Sequence, residues 1–219
     1  MNAPITLNSW FRLLRKEYQK YFLKDKEYLF LFDEPPANEW IAIDCETTGL
    51  DVRRDEIISI AAIPIKNNSL LTSQRLELLI KPKQELPAQS VRVHRLRACD
   101  LEQGLDAQTA AQKFLRFIGS RPIVGYYTEF DIAMINKIVH PILGIRLPNI
   151  QLDVCNIYYD YKFKQLPPYQ QYANADIDLR FESLMNDLEL PSRQGHDAFN
   201  DAEMAALAFV KLQQLVLLT

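Results

Sequence analysis

The chain predicts an α/β domain built on a mixed sheet, and three observations carry that expectation. Apolar, strand-like runs at residues 41–43, 56–65 and 69–82 are joined by short polar connections, the following stretch alternates helical with strand patterns, and the chain closes on a long apolar helical segment. With 219 residues, 48% hydrophobic and 24% charged, the composition is that of a globular protein of one domain, or one domain with an appendage. The formal charge of −3 excludes a general attraction to polyanions, so a nucleic-acid substrate needs a local basic patch or bound cations. Cys45, Cys99 and Cys155 are odd in number and widely spaced, which favours reduced thiols over a disulfide framework or a zinc site. No signal-like leader and no uncharged run of membrane-spanning length occurs, so a cytoplasmic protein without a membrane partner is expected.

The first element is a helix from Asn8 or Ser9, either a plausible N-cap, with Trp10, Phe11, Leu13, Leu14, Tyr18, Tyr21 and Phe22 at helical spacing. Its other side is basic, through Arg12, Arg15, Lys16, Lys20, Lys24 and Lys26 against Glu17, Asp25 and Glu27. The bland reading of that side is a solvated face; the functional readings are a contact for long nucleic acid or for a second copy in a homodimer. Asp33-Glu34-Pro35-Pro36 breaks the pattern, so residues 1–38 are expected to be a helical extension and linker, and residues 39–219 the main domain.

Ile41, Ala42 and Ile43 form an unalternated apolar run, as expected of a strand buried on both faces, and the run ends in acid. Alternation puts Asp44 and Glu46 on one face and Cys45 on the other. Two neighbouring carboxylates repel unless a cation lies between them, and Mg²⁺ or Mn²⁺ suits an all-oxygen site. Alone, the pair equally describes two solvated charges. Glu56 to Ile65 reads as a second strand and Ser69 to Pro82 as a third, joined through the short Lys66–Ser69 connection as an antiparallel hairpin. A helix from Gln108 to Ile118 ends at Gly119, Pro122 to Tyr126 is a strand, and Phe130 to Val139 is a helix stopped by Pro141. Gln151 to Cys155 reads as a strand, 164–177 as a long loop rich in Tyr and Pro, Phe181 to Leu188 as a helix halted by Pro191, and Ala198 to Leu218 as the closing helix.

Two distant segments complete the acidic pair. Asp131 falls in the first turn of the helix after Val124-Gly125-Tyr126-Tyr127, where an acid also suits the helix dipole. His196 precedes the last helix and Asp201 lies one turn into it, which suits a metal ligand beside a movable base; singly, such a histidine is an ordinary surface or capping residue.

In this order, IDCETTGL with DEIISIAAI, then Phe130-Asp131, then HDAFNDA, the chain resembles the DEDDh exonucleases of the ribonuclease H-like superfamily, and within them the proofreading epsilon subunit of bacterial DNA polymerase III. The resemblance runs from about Trp40 to the end. It implies a ribonuclease H-like mixed five-stranded sheet flanked by helices, with Asp44, Glu46, Asp131 and Asp201 holding two Mg²⁺ (Mn²⁺ substituting) and His196 deprotonating the attacking water. The sister branch has tyrosine where this chain has Asp197. The implied activity is 3′–5′ hydrolysis at single-stranded nucleic-acid ends, DNA favoured, releasing nucleoside 5′-monophosphates in proofreading or repair. The alternatives are an oligoribonuclease-like enzyme acting on short RNAs and a non-catalytic 3′-end binding module.

Thr47, Thr48 and Leu50 match the part of the first motif that touches the terminal nucleotide in relatives. Tyr126-Tyr127 replaces a frequent His-Asn, and two rings there can stack on bases. Val93-His94 resembles an epsilon-like Val-His element, with Arg95 replacing the usual following residue; Arg92, Arg95 and Arg97 form the densest basic cluster, read either as phosphate contacts or as a solvated loop. The chain stops after its last helix, so the tail that tethers epsilon to its polymerase is expected to be missing.

Overall fold

A computed structural model describes residues 7–171, 175–193 and 195–217, with side chains from residue 14 to residue 216 of those ranges. The central strand β1 (Glu39–Thr47) pairs antiparallel with β2 (Ile57–Lys66) from Glu39↔Lys66 to Glu46↔Ser59. Asn67 and Asn68, both at positive φ, make the tight turn into β3 (Ser69–Leu70). A 3-10 turn at Thr72–Gln74 then interrupts the edge before β4 (Leu76–Leu79) resumes pairing with β2. The single third strand expected from the sequence is thus two pieces sharing one edge. Strands β5 (Ile123–Gly125) and β6 (Gln151–Asp153) add in parallel on the other side of β1. The mixed sheet is therefore five strands wide, in the order β3/β4, β2, β1, β5, β6.

Helix α1 (Leu7–Phe22) already includes Asn8 and Ser9, so neither is its cap. Trp10, Phe11 and Leu13 of its expected apolar stripe lie outside the described side chains; Leu14, Tyr18, Tyr21 and Phe22 are exposed. Two short helices, α2 (Ala88–His94) and α3 (Ala98–Leu101), occupy a stretch with no clear periodic signal. Helix α4 (Ala107–Ile118) starts at Asp106, whose carboxylate accepts the Thr109 N–H at 2.9 Å.

Helix α5 (Thr128–Leu143) corrects the expected stop at Pro141, which lies inside its last turn. A proline there forfeits only one late hydrogen bond. The helix continues because Leu143 is buried, its carbonyl accepts the Lys24 N–H at 2.8 Å, and Gly144 closes the turn with φ of 70°. A side chain at Gly144 would also press on Lys24 Cβ at 3.1 Å. Helix α6 (Val154–Gln165) takes in Cys155, which was expected at a strand end; tyrosines and lysines on all sides hide its stripe from the sequence. Helix α7 (Phe181–Asp187) and the closing α8 (Ala198–Leu217) follow as expected, while residues 172–174 of the long loop and Leu218 lie outside the described residues. No helix among the described residues is long and apolar enough to cross a membrane.

Both faces of the sheet are covered. Ile41, Ile43 and Cys45 pack with Phe114, Leu115, Met134 and Ile135 of α4 and α5, whereas Ala42 packs with Ala205, Ala208 and Phe209 of α8. By alternation Asp44 and Glu46 face α8. The segment before β1 joins the first of these cores: Leu23, Tyr28, Leu31 and Phe32, the last three in a 3-10 segment at Lys26–Phe32, are all buried in it. Arg116 of α4 lies over the Tyr28 ring at 5.9 Å and pairs with Glu27 at 2.6 Å. Tyr28→Ala should therefore cost about 3–5 kcal/mol in urea unfolding, as large-to-small core changes do; a loss under about 1 kcal/mol would show that the segment is dispensable to the core.

Candidate active site

The site grows from the end of β1. Asp44 and Glu46 project toward α8, and the β1–β2 register slips between Glu46 and Thr47, so that Thr47 pairs with Ile57. Such a bulge turns the strand out of the sheet and ends its pairing. From α8, Asp201 brings a third carboxylate: one oxygen each of Asp44, Glu46 and Asp201 lies within 4.8 Å of the others. Asp131, buried in the first turn of α5, stands outside that trio, but its charge acts directly on Asp44.

The electrostatics follow from crowding. Burial, and then the charges of Asp131, Asp201, Glu46 and Asp197, hold the Asp44 carboxyl well above the ordinary range. Burial, with Asp201 and Asp197, pushes Glu46 up to about 7. Burial raises Asp131 to about 8 despite an opposing hydrogen bond from the Cys45 backbone. Asp201 is raised by burial against the pull of the His196 backbone N–H. Oxygen-only donors that repel one another this strongly are what a hard divalent cation relieves. The donor set fits Mg²⁺ or Mn²⁺.

His196 sits at the rim, exposed and at a positive φ of 64°, and its backbone N–H donates to Asp201 Oδ2 at 2.8 Å. Its imidazole also stabilises the Asp201 charge. Asp197 caps α8 by accepting the Asn200 N–H at 3.0 Å. The five residues of the motifs thus converge at one sheet edge.

Two residues that sequence reasoning missed hold this edge together. Asp153, at the end of β6, accepts the Thr128 N–H at 2.8 Å, the Thr128 hydroxyl at 3.2 Å and the Cys155 N–H at 2.8 Å, tying the first turns of α5 and α6 to one carboxylate. Its signal was an acid between an apolar strand and a new helix. Asp55 accepts the Thr48 hydroxyl at 3.0 Å and the Asp51 N–H at 2.7 Å, fixing the loop after β1 from within. A Cβ on Gly49 would lie 2.5 Å from that carboxylate, so any larger residue there would push the Asp55 brace aside.

The expected substrate contacts divide. Leu50 is 86% exposed at the loop tip and Tyr127 is exposed beside Asp131's helix, both open to a ligand. Thr47 and Thr48 are buried, and their hydroxyls are committed to Gly49 O at 2.7 Å and to Asp55 at 3.0 Å, which leaves their backbone to face a terminal nucleotide. Tyr126 is half-buried: its ring stacks on Phe181 at 4.2 Å and its hydroxyl donates to Leu179 O at 2.8 Å, so it packs α7 against the sheet. His94 is buried, with Nδ1 accepting the Leu96 N–H at 3.0 Å. Arg95 is exposed at the end of α2, whereas Arg97 is held by Asp100 at 3.1 Å.

A family model described as Exonuclease, RNase T type, matches residues 41–209. The chain belongs to this exonuclease family. The exonuclease match contains β1 from Ile41 onward with Asp44 and Glu46, and Asp131, His196 and Asp201, and leaves α1 and the 3-10 segment at Lys26–Phe32 outside. Among its relatives, the DNA polymerase III subunit epsilon of Aquifex aeolicus is 25% identical over 173 residues, 79% of each chain, and that of Rickettsia conorii is 28% identical over 175 residues, 78% of this chain and 72% of its own. The exonuclease I–single-stranded DNA complex of E. coli superposes with a TM-score of 0.66 at 18% identity over 82% of this chain. This chain spans only 41% of that protein. Cell-death related nuclease 4 gives the same TM-score at 13% identity, covering 82% of this chain and 65% of its own. These neighbours share the ribonuclease H-like fold.

The raised carboxyls set a pH dependence. Folding favours the protonated forms of Glu46 and Asp131, so this contribution to stability is fully present below about pH 4 and is lost as pH rises through about 7 to 8. Metal-free protein should therefore melt lower at about pH 8.5 than at about pH 5, with Glu46→Gln flattening part of the slope, and Mn²⁺ should restore the melting temperature most at the higher pH. An identical slope in wild type and Glu46→Gln would contradict the crowding of these groups.

Proposed function

We propose that the protein is a divalent-metal-dependent 3′–5′ exonuclease acting on single-stranded nucleic acid, DNA favoured, and releasing nucleoside 5′-monophosphates. The observation that carries this reading is the convergence of Asp44, Glu46 and Asp201 oxygens within 4.8 Å, beside buried Asp131 and under a histidine tied to Asp201. Asp44, Glu46, Asp131 and Asp201 would hold two cations. When bound, these supply charge neutralisation at the scissile phosphate and lower the proton affinity of the attacking water.

The chain's own residues do the rest. His196, exposed at the rim and anchored through its backbone, takes the proton of the attacking water at its imidazole. The leaving 3′-oxygen stays with the shortened strand. Leu50 and Tyr127 offer an apolar tip and an open ring to the terminal bases, and Arg95 offers charge to a phosphate.

Two variants separate metal binding from base chemistry. His196→Ala should lose about 10²–10⁴-fold in turnover on labelled single-stranded DNA while still gaining thermal stability from Mn²⁺. Asp44→Asn should lose turnover and most of that stabilisation together. Near-wild-type turnover in His196→Ala would remove the histidine from the chemistry, and chelator-insensitive hydrolysis by the wild type would overturn the metal requirement.

A further inference from the structure

On the opposite side of the loop after β1, a groove of about 1500 Å³ opens between the 3-10 segment, the end of β4, the start of α4 and the length of α5. Five lysines line it from three directions: Lys24 and Lys26 before β1, Lys81 and Lys83 after β4, and Lys137 on α5. Its floor is apolar, through Ile57, Met134 and Ile138. Four acids share the lining, but three already accept backbone N–H groups: Asp25 from Glu27 at 2.9 Å, Glu56 from Lys83 at 2.8 Å, and Asp106 from Thr109. Glu102 is the fourth. The side chains of Lys81 and Lys83 enter no ion pair among the described residues, and both are exposed.

Two features connect this groove to the carboxylate site. Lys137 Nζ donates to Asp55 O, the carbonyl of the residue that braces the loop through Thr48. Along α5, Asp131 at the site is followed one turn on by Met134 and two turns on by Ile138 in the groove floor. The end of α1, which precedes Lys24 in the chain without lining the groove, carries three exposed rings that pack on one another, Tyr18, Tyr21 and Phe22. Lys24 and Lys26 donate to Pro141 O at 3.1 Å and Lys20 O at 2.8 Å, which leaves Lys81 and Lys83 as the amines open to the phosphates of a single strand lying over the apolar floor.

We propose that this groove carries the 5′, upstream part of the single strand whose 3′ end occupies the carboxylate site. The proposal rests on the exonuclease reading above and gives the N-terminal segment, which lies outside the family match, a part in substrate binding. The groove floor begins at Met134, one turn of α5 beyond Asp131, and Lys83 is joined to the loop after β1 through Glu56, so the groove starts next to the site. A strand of about two nucleotides is too short to lie along it.

The test compares wild type with Lys81→Glu/Lys83→Glu and with the milder Lys81→Gln/Lys83→Gln, each checked for an unchanged melting temperature. Binding of 5′-labelled oligo-dT of about two and about fifteen nucleotides is measured in chelator, and hydrolysis of the same strands with Mg²⁺. The expected result is a loss of at least about tenfold in affinity for the long strand, a salt slope smaller by about 1.4, and unchanged turnover of the short strand. An unaltered long-strand affinity in both variants, or equal losses for both lengths, overturns the groove assignment while leaving the exonuclease reading standing. Absence of hydrolysis by the wild type on either strand, with the length-dependent binding loss intact, overturns the exonuclease reading and keeps the groove.

Discussion

The interaction on which this structure depends is the repulsion among carboxylates gathered at the end of one strand. Asp44, Glu46 and Asp201 bring oxygens within 4.8 Å of one another with Asp131 buried alongside, and each of the four is harder to ionise than an ordinary carboxyl. Such an arrangement is costly for folding at neutral pH, and the cores on both faces of the sheet supply the stability that tolerates it. The bulge after Glu46, the carboxylate of Asp153 and the Asp55 brace are the devices that keep the acids aimed at one point in spite of that repulsion.

Much of this was legible in the sequence because the relevant signals are local. A strand's alternation places Asp44 and Glu46 on one face, and the apolar run before them places that face at the sheet's centre. The turn at Asn67-Asn68 and the long closing helix were readable for the same reason. What was hidden depends on tertiary contact. Pro141 looks like a stop, but the buried Leu143 and the Lys24 N–H carry the helix past it. Tyr126 reads as a stacking ring, and the sequence does not show that Phe181, distant along the chain, stacks on it. Thr47 and Thr48 match a substrate-touching motif, yet their hydroxyls are used inside the loop they belong to.

The N-terminal segment shows the limit of reading composition alone. Asp33 to Pro36 has the character of a linker, and the basic helix before it has the character of an attachment. The 3-10 segment between them nevertheless buries Tyr28, Leu31 and Phe32 in the same core that supports α5, the helix carrying Asp131. The same packing brings Lys24 and Lys26 to the wall of the groove and fixes them relative to Lys137. Stability and substrate path therefore share one contact surface.

The mutual repulsion of the strand-end acids marks them as a cation site. Titration of Mn²⁺ into the purified protein, with free Mn²⁺ read by electron paramagnetic resonance, tests it most directly. Two ions should bind per chain, with Glu46→Gln and Asp201→Asn each weakening or abolishing binding while leaving the fold intact. Wild-type protein that binds no Mn²⁺, or variants that bind it as the wild type does, would contradict it.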